Sequence, residues 1–221
     1  MLSRKNMGKK ARKSARVIQS ADSEQPKKPR KRRFFSGELE DWMYLVQEEI
    51  ARLFGVIKLR RDKAIFRLTY HRGLRAHEVG VLQLSDFRDR DGILFVRRGK
   101  GSVSREYPLI DEELRALRAW IRERGTQPGP LFPSRQGTRG ITRMRLDQIM
   151  KHYCALAGIR KEKAHMHALK HSCGTHLAER GCTAEEIQDW LGHRDIQSTQ
   201  IYLHFSKKRR KELWERNRDW R

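Results

Sequence analysis

Asp91-Gly92-Ile93-Leu94-Phe95-Val96-Arg97-Arg98-Gly99-Lys100-Gly101-Ser102-Val103-Ser104-Arg105-Glu106-Tyr107-Pro108-Leu109 is the stretch where the chain changes period. Ile93 to Val96 is a short apolar run behind an Asp-Gly turn, which reads as a strand. Gly99-Lys100-Gly101-Ser102 then turns the chain back into a second strand over Arg105 to Leu109. On both sides the apolar residues recur at helical spacing. The fold class is therefore mainly α with a small antiparallel β-sheet (α+β).

Working outward, Ser36 is placed to cap an amphipathic helix to about Phe54, with Leu39, Trp42, Val46, Ile50 and Leu53 on one face. Helices follow over about Asp62 to Arg72, stopped by Gly73, and over Ala76 to Leu82. Beyond the hairpin, Asp111 opens a helix to about Arg124, and the Pro- and Gly-bearing stretch 125–140 is loop. Thr142 opens a helix ending near Gly158, and His167 to Arg180 gives another, with Gly181 as its stop. Thr183 and Glu186 form a capping box for a short helix ending at Gly192. Ser198 to His204 carries Tyr202, and a basic helix from Lys207 to Trp220 follows.

Residues 1–36 hold 13 Lys/Arg against 2 acids and lack apolar periodicity, so they read as a disordered basic tail. The whole chain of 221 residues carries +23, and residues 37–221 keep +12 of it. Such a surplus calls for a polyanionic partner, nucleic acid or an acidic membrane surface. Lys27, Lys28, Arg30, Lys31, Arg32 and Arg33 read either as a solvated tail or as an arm on a DNA backbone. No apolar run approaches the ~18 residues that span a bilayer, and no signal-peptide pattern follows the start. An odd three cysteines, without metal-ligand spacing, read as reduced intracellular thiols. The expected location is cytoplasmic, at the nucleoid.

Four separated segments place phosphate-competent groups at helix ends or turns. Arg75 follows Gly73 at a bend, and Glu78 lies three residues on, able to orient it. Lys100 sits between glycines in the hairpin turn. His167 and His171 are i,i+4 on one helix around Lys170, and His193 ends Leu191-Gly192-His193. Taken singly, each has an ordinary reading: a surface ion pair, a solubility lysine, a helix-terminus histidine, a core tyrosine at 202. A metal site is disfavoured, since no glutamate, cysteine pair or carboxylate completes a ligand set with the histidines.

Taken in order, Gly73-Leu74-Arg75-(two residues)-Glu78, Gly99-Lys100-Gly101 leading to Arg105, His167-(one residue)-Leu169-Lys170-His171, and Leu191-Gly192-His193-(eight residues)-Tyr202 resemble the tyrosine recombinase (phage integrase) family over about residues 60–206. The resemblance implies a catalytic domain over residues 57–221, with 37–56 as a possible remnant of the helical core-binding domain of longer relatives. By the same resemblance the chain is more similar to the minimal recombinases, such as the fimbrial phase-switch invertases, than to full integrases. Tyr202 is then the nucleophile, forming a 3′-phosphotyrosine without metal, ATP or other cofactor. His167 is the base and Lys100 the general acid. Arg75, Lys170 and His193 donate to the phosphate oxygens, with Glu78 and His171 in support and Arg105 on the DNA-binding face. The implied partners are double-stranded DNA, further copies of the chain in a tetramer on paired sites, and DNA-bending accessory proteins. The implied outcome is integration, excision or inversion.

One position departs from the family pattern. Lys170 stands where arginine is usual; it keeps the charge but not the planar fork. A catalytically weakened DNA-binding relative therefore stands beside the recombinase reading, and the related chemistry of type IB topoisomerases adds a DNA-relaxing enzyme as a third. On the family pattern alone, Lys170→Arg should keep or raise activity.

Overall fold

The computed structural model describes residues 44–99, 102–205, 211 and 214–219. The expected tail with Lys27, Lys28, Arg30, Lys31, Arg32 and Arg33, the proposed Ser36 cap, Lys100 and most of the last basic helix lie outside these residues. The described elements run α1 (Gln47–Val56), α2 (Arg60–Arg72), α3 (Ala76–Val81), β1 (Phe87–Arg88), β2 (Ile93–Val96), β3 (Arg105–Pro108), α4 (Asp111–Arg124), α5 (Arg143–Leu156), α6 (Met166–Glu179), α7 (Ala184–Leu191) and α8 (Gln197–Phe205). The sheet is antiparallel in the order β1-β2-β3, with Leu94 opposite both Phe87 and Tyr107. This is the expected fold class, with one strand more than the sequence disclosed. A strand of two residues is too short to show a period.

Among the described residues, the helix expected to run from Ser36 to about Phe54 is helical only from Gln47. Residues 44–46 are not helical, and α1 begins at Gln47. The extended entry is held because the Leu45 amide donates to Ser172 Oγ at 2.8 Å, and the Val46 amide donates to Glu49 at 3.0 Å. Leu45, Ile50, Leu53 and Ile57 then join the same apolar core as α2, α5 and the sheet. Lys163 Nζ donates to Glu49 at 2.7 Å and closes this corner.

The site is built where α2 ends. Gly73 adopts φ 56, and a Cβ there would fall 2.2 Å from the Leu191 side chain. Glycine is thus required twice, by the left-handed turn and by the approach of α7. One residue earlier, the fully buried pair Arg72 and Glu113 joins α2 to α4. Arg72 Nε donates to Glu113 at 2.8 Å, a second bond runs from Nη2, and Glu113 also accepts from the Ile110 amide at 2.9 Å. A second, smaller apolar cluster holds Cys173, Ala178, Ile187, Leu191 and Tyr202, and so seats α7 and α8 on α6. Among the described residues, no helix is long and apolar enough to cross a membrane.

Candidate active site

Arg75 is the N-cap residue of α3, so its side chain leaves the chain at the bend after Gly73. Its Nη1 donates to Glu78 Oε1 at 3.0 Å and to Ser102 Oγ at 2.6 Å, while its backbone amide donates to Glu78 Oε2 at 2.8 Å. The Arg75 side chain stays 30% exposed, whereas Glu78 is fully buried. Burial alone would raise the Glu78 carboxyl, but Arg98, the Arg75 amide, Lys170 and Arg75 offset it and hold the pKa below the usual value. The carboxylate is therefore charged and bonded to Arg75 at both its backbone amide and its guanidinium.

Lys170 is 1% exposed. Its Nζ donates to the Gly73 carbonyl at 2.8 Å and the Leu191 carbonyl at 3.3 Å, the ends of α2 and α7. Those carbonyls form the negative poles of two helices. Burial, then the neighbouring Arg98 and Arg75, push the Lys170 ammonium down to about 7, with Glu78 opposing.

His193 follows the left-handed Gly192 that ends α7. Its Nδ1 is 3.0 Å from Thr199 Oγ1 on α8. The hairpin reaches this point as well, since Ser102 pairs with His193 and the Val103 amide donates to the Gly192 carbonyl at 3.0 Å. Tyr202 lies against both histidine motifs, with its ring 6.3 Å from His193 in a stacked pair and 5.8 Å from His171. His167, exposed at the start of α6, meets His171 edge-on at 4.4 Å. Tyr202 is only 2% exposed. Its ring rests on Gly174, where a Cβ would fall 2.7 Å from three ring atoms. Burial, then Cys173, push the phenol above its usual value, with Arg75 opposing.

The other expected residues fall differently. Arg105 is half-exposed and paired with Asp189 of α7 at 2.6 Å. Lys100 lies outside the described residues, and Ser102, two residues on, accepts from Arg75 Nη1 at 2.6 Å. Among the described residues, no group of three or more His, Cys, Asp or Glu could hold a metal.

Sequence reasoning missed Arg98, Ser102, Thr199 and Gly174. For Arg98 a signal existed. Strand alternation puts it in phase with the buried Leu94 and Val96, which makes it an inward-facing arginine. For Thr199 and Gly174 no local pattern marks the contact, because both are set by how α8 docks.

The histidines of the site share one electrostatic state. Desolvation and the surrounding cations lower His167 to about 4, His171 to about 3 and His193 to about 3, from an ordinary 6.5. His176, whose Nδ1 is 2.8 Å from Tyr70 Oη, is lowered to about 4. A histidine held neutral by the fold binds its proton more readily in the unfolded chain. Its contribution to stability is full above 6.5 and is lost as pH falls toward the folded values. The melting temperature is therefore expected to drop steadily from pH 6.5 to about 4. A flat profile over that range would contradict this charge state.

The arrangement gathers Arg75, Lys170 and Arg98 around the Glu78 carboxylate, with His193 and a tyrosine at its rim. Such a surplus of fixed donors suits an anion. Comparisons with known proteins point the same way. The Phage integrase family matches over residues 43–209. The tyrosine recombinase XerD of Proteus mirabilis is 38% identical over 159 residues, which are 69% of this chain and 50% of that protein. The type 1 fimbriae regulatory protein FimE of Escherichia coli (strain K12) is 36% identical over 162 residues, covering 71% of this chain and 81% of FimE. The crystal structure of the XerH site-specific recombinase bound to its difH substrate, a pre-cleavage complex, superposes with a TM-score of 0.65 at 26% identity. That match covers 77% of this chain and 53% of XerH. The chain thus spans about half the length of XerD and of XerH.

Proposed function

The chain belongs to the phage integrase family, and on that premise we propose that it is a site-specific recombinase that cuts and rejoins double-stranded DNA through Tyr202. The observation that carries this reading is the convergence of Arg75 from the start of α3, Lys170 from α6 and His193 from the end of α7, with His193 stacked on the Tyr202 ring. In the proposed step, Tyr202 Oη attacks the scissile phosphorus and gives its proton to His167. The bond to the 5′-oxygen breaks, and Lys100 protonates that oxygen as it leaves. The product is a 3′-phosphotyrosine and a free 5′-hydroxyl, and reversal on a new 5′-hydroxyl rejoins the DNA. Arg75, His193 and the third N–H of Lys170 donate to the phosphate oxygens as charge builds there.

His167 is neutral at pH 7, as a proton acceptor must be. A phosphodiester anion arriving beside it and Lys170 raises both pKa values, because an opposite charge favours the protonated forms. Tyr202 rests in its seat on Gly174, so α8 shifts before attack. The exposed basic surface and the tail supply affinity for the duplex, and paired copies on two sites supply the exchange.

Incubation with a nicked suicide duplex tests the proposal. The expected product is a covalent protein–DNA adduct, with recombinants from paired sites. Plasmid relaxation without recombinants would instead support a topoisomerase-like activity. One observation favours a second reading, a relative that binds DNA without cutting it: the closed seat of Tyr202 combined with two Lys170 N–H groups given to carbonyls. DNA binding with no adduct on any duplex would support that reading. Lys170→Ala is expected to slow adduct formation about a hundredfold while DNA affinity stays within about twofold. Equal rates would make Lys170 a bystander.

A further inference from the structure

Arg98 belongs to none of the four sequence motifs, yet its guanidinium is enclosed within the site. The side chain is 0% exposed. Nη1 donates to the Gly73 carbonyl at 3.1 Å and to Glu78 Oε2 at 2.8 Å. Nη2 donates to the Arg72 carbonyl at 2.8 Å and Tyr107 Oη at 3.0 Å, and approaches the Trp190 carbonyl at 3.5 Å. Lys170 takes the Gly73 and Leu191 carbonyls. The two side chains, one from the end of β2 and one from α6, thus fill one basin formed by the carboxyl ends of α2 and α7. They meet at a single shared acceptor, the Gly73 oxygen.

Arg98 also reaches the catalytic arginine. The Glu78 oxygen it binds belongs to the carboxylate whose other oxygen holds Arg75 Nη1. A planar fork can bind that carboxylate and two carbonyls at once; an ammonium has three donors and no fixed plane. A second fork at position 170 would crowd a closed, buried space, and overpacking of this kind displaces neighbours.

We propose that Arg98 is a positioning residue for Arg75, and that it is matched to the lysine at 170, the basin holding one guanidinium and one ammonium. Arg98 supplies from the sheet the fork that Lys170 lacks. This inference rests on the recombinase reading of the same site. It reverses what the family pattern alone implies for Lys170→Arg, since the added fork meets Arg98 already in place.

A charge-conserving cycle tests it: wild type, Arg98→Lys, Lys170→Arg and the double swap. Every protein carries the same net charge, and both positions are buried, so DNA affinity is expected to stay within about twofold throughout. Single-turnover cleavage of a nicked suicide duplex at saturating protein is the readout. Each single substitution is expected to slow cleavage about tenfold to a hundredfold, the scale of a displaced catalytic group. The double swap restores one fork and one ammonium and is expected to return to within about threefold of wild type. A double variant as slow as the product of the two single losses overturns the proposal, as does a Lys170→Arg protein faster than wild type whatever stands at 98. A purely structural Arg98 would show losses that follow the melting temperature, with no recovery. If one single variant fails to fold, the double swap is compared with the other single variant: cleavage within about threefold of wild type is expected, and a double variant no faster than the folded single variant overturns the match. Wild type that forms no adduct brings down the recombinase reading and this role together. Wild type that cuts, with additive variants, brings down only the role of Arg98.

Discussion

Tyr202→Phe is expected to give a protein that folds, binds DNA and never becomes covalently attached to it. The substitution removes one oxygen and leaves the ring. The ring makes the packing contacts, lying on Gly174 and beside His193 and His171. Its melting temperature should therefore match that of the wild type, and its DNA affinity should be unchanged because the basic surface is untouched. Without Oη no phosphotyrosine forms, so the adduct band on a denaturing gel disappears. An adduct of undiminished yield would mean that another side chain is the nucleophile.

Glu113→Ala is expected to cost on the order of 3–5 kcal/mol of folding stability, the usual penalty for leaving a buried charge without its partner. Arg72 is 1% exposed and its guanidinium is bonded twice to Glu113. The truncation also strips the Ile110 amide of its acceptor at the start of α4. For a domain whose total stability is about 5–15 kcal/mol, this is a large share. Urea denaturation measures it. A loss below about 1 kcal/mol, the scale of an exposed pair, would show that solvent or a rearranged neighbour satisfies Arg72. The effect reaches the site as well, since the Arg72 carbonyl is one of the acceptors that hold Arg98.

Much of the fold was legible because its signals are local. The switch to strand at Ile93, the stop at Gly73 and the Thr183–Glu186 box each depend on a few adjacent residues, and the structure has all three. The start of α1 was not legible, because it is set by Ser172, 127 residues away, which captures the Leu45 amide. The same division runs through the site. Three of the four motifs name residues at the ends of α2 and α7, along α6 and on α8, while Lys100 of the fourth lies outside the described residues. What the motifs do not carry is the packing between them. Gly174 is a mid-helix glycine with no local reason until the Tyr202 ring is laid on it. Lys170 reads in the sequence as an isolated departure from a pattern. In the structure it is half of a pair, because Arg98 approaches the same carbonyl from the sheet. The strand period would have pointed Arg98 inward, but only the tertiary structure supplies its partners.

Covalent attachment of Tyr202 to DNA is tested most directly by peptide mapping of the adduct trapped on a nicked suicide duplex, with the linkage end identified on the DNA. A phosphotyrosine on the peptide carrying Tyr202, joined to the 3′ end of the cleaved strand, is the expected result. A bond to any other residue, a 5′ linkage, or tight DNA binding with no covalent product would contradict it.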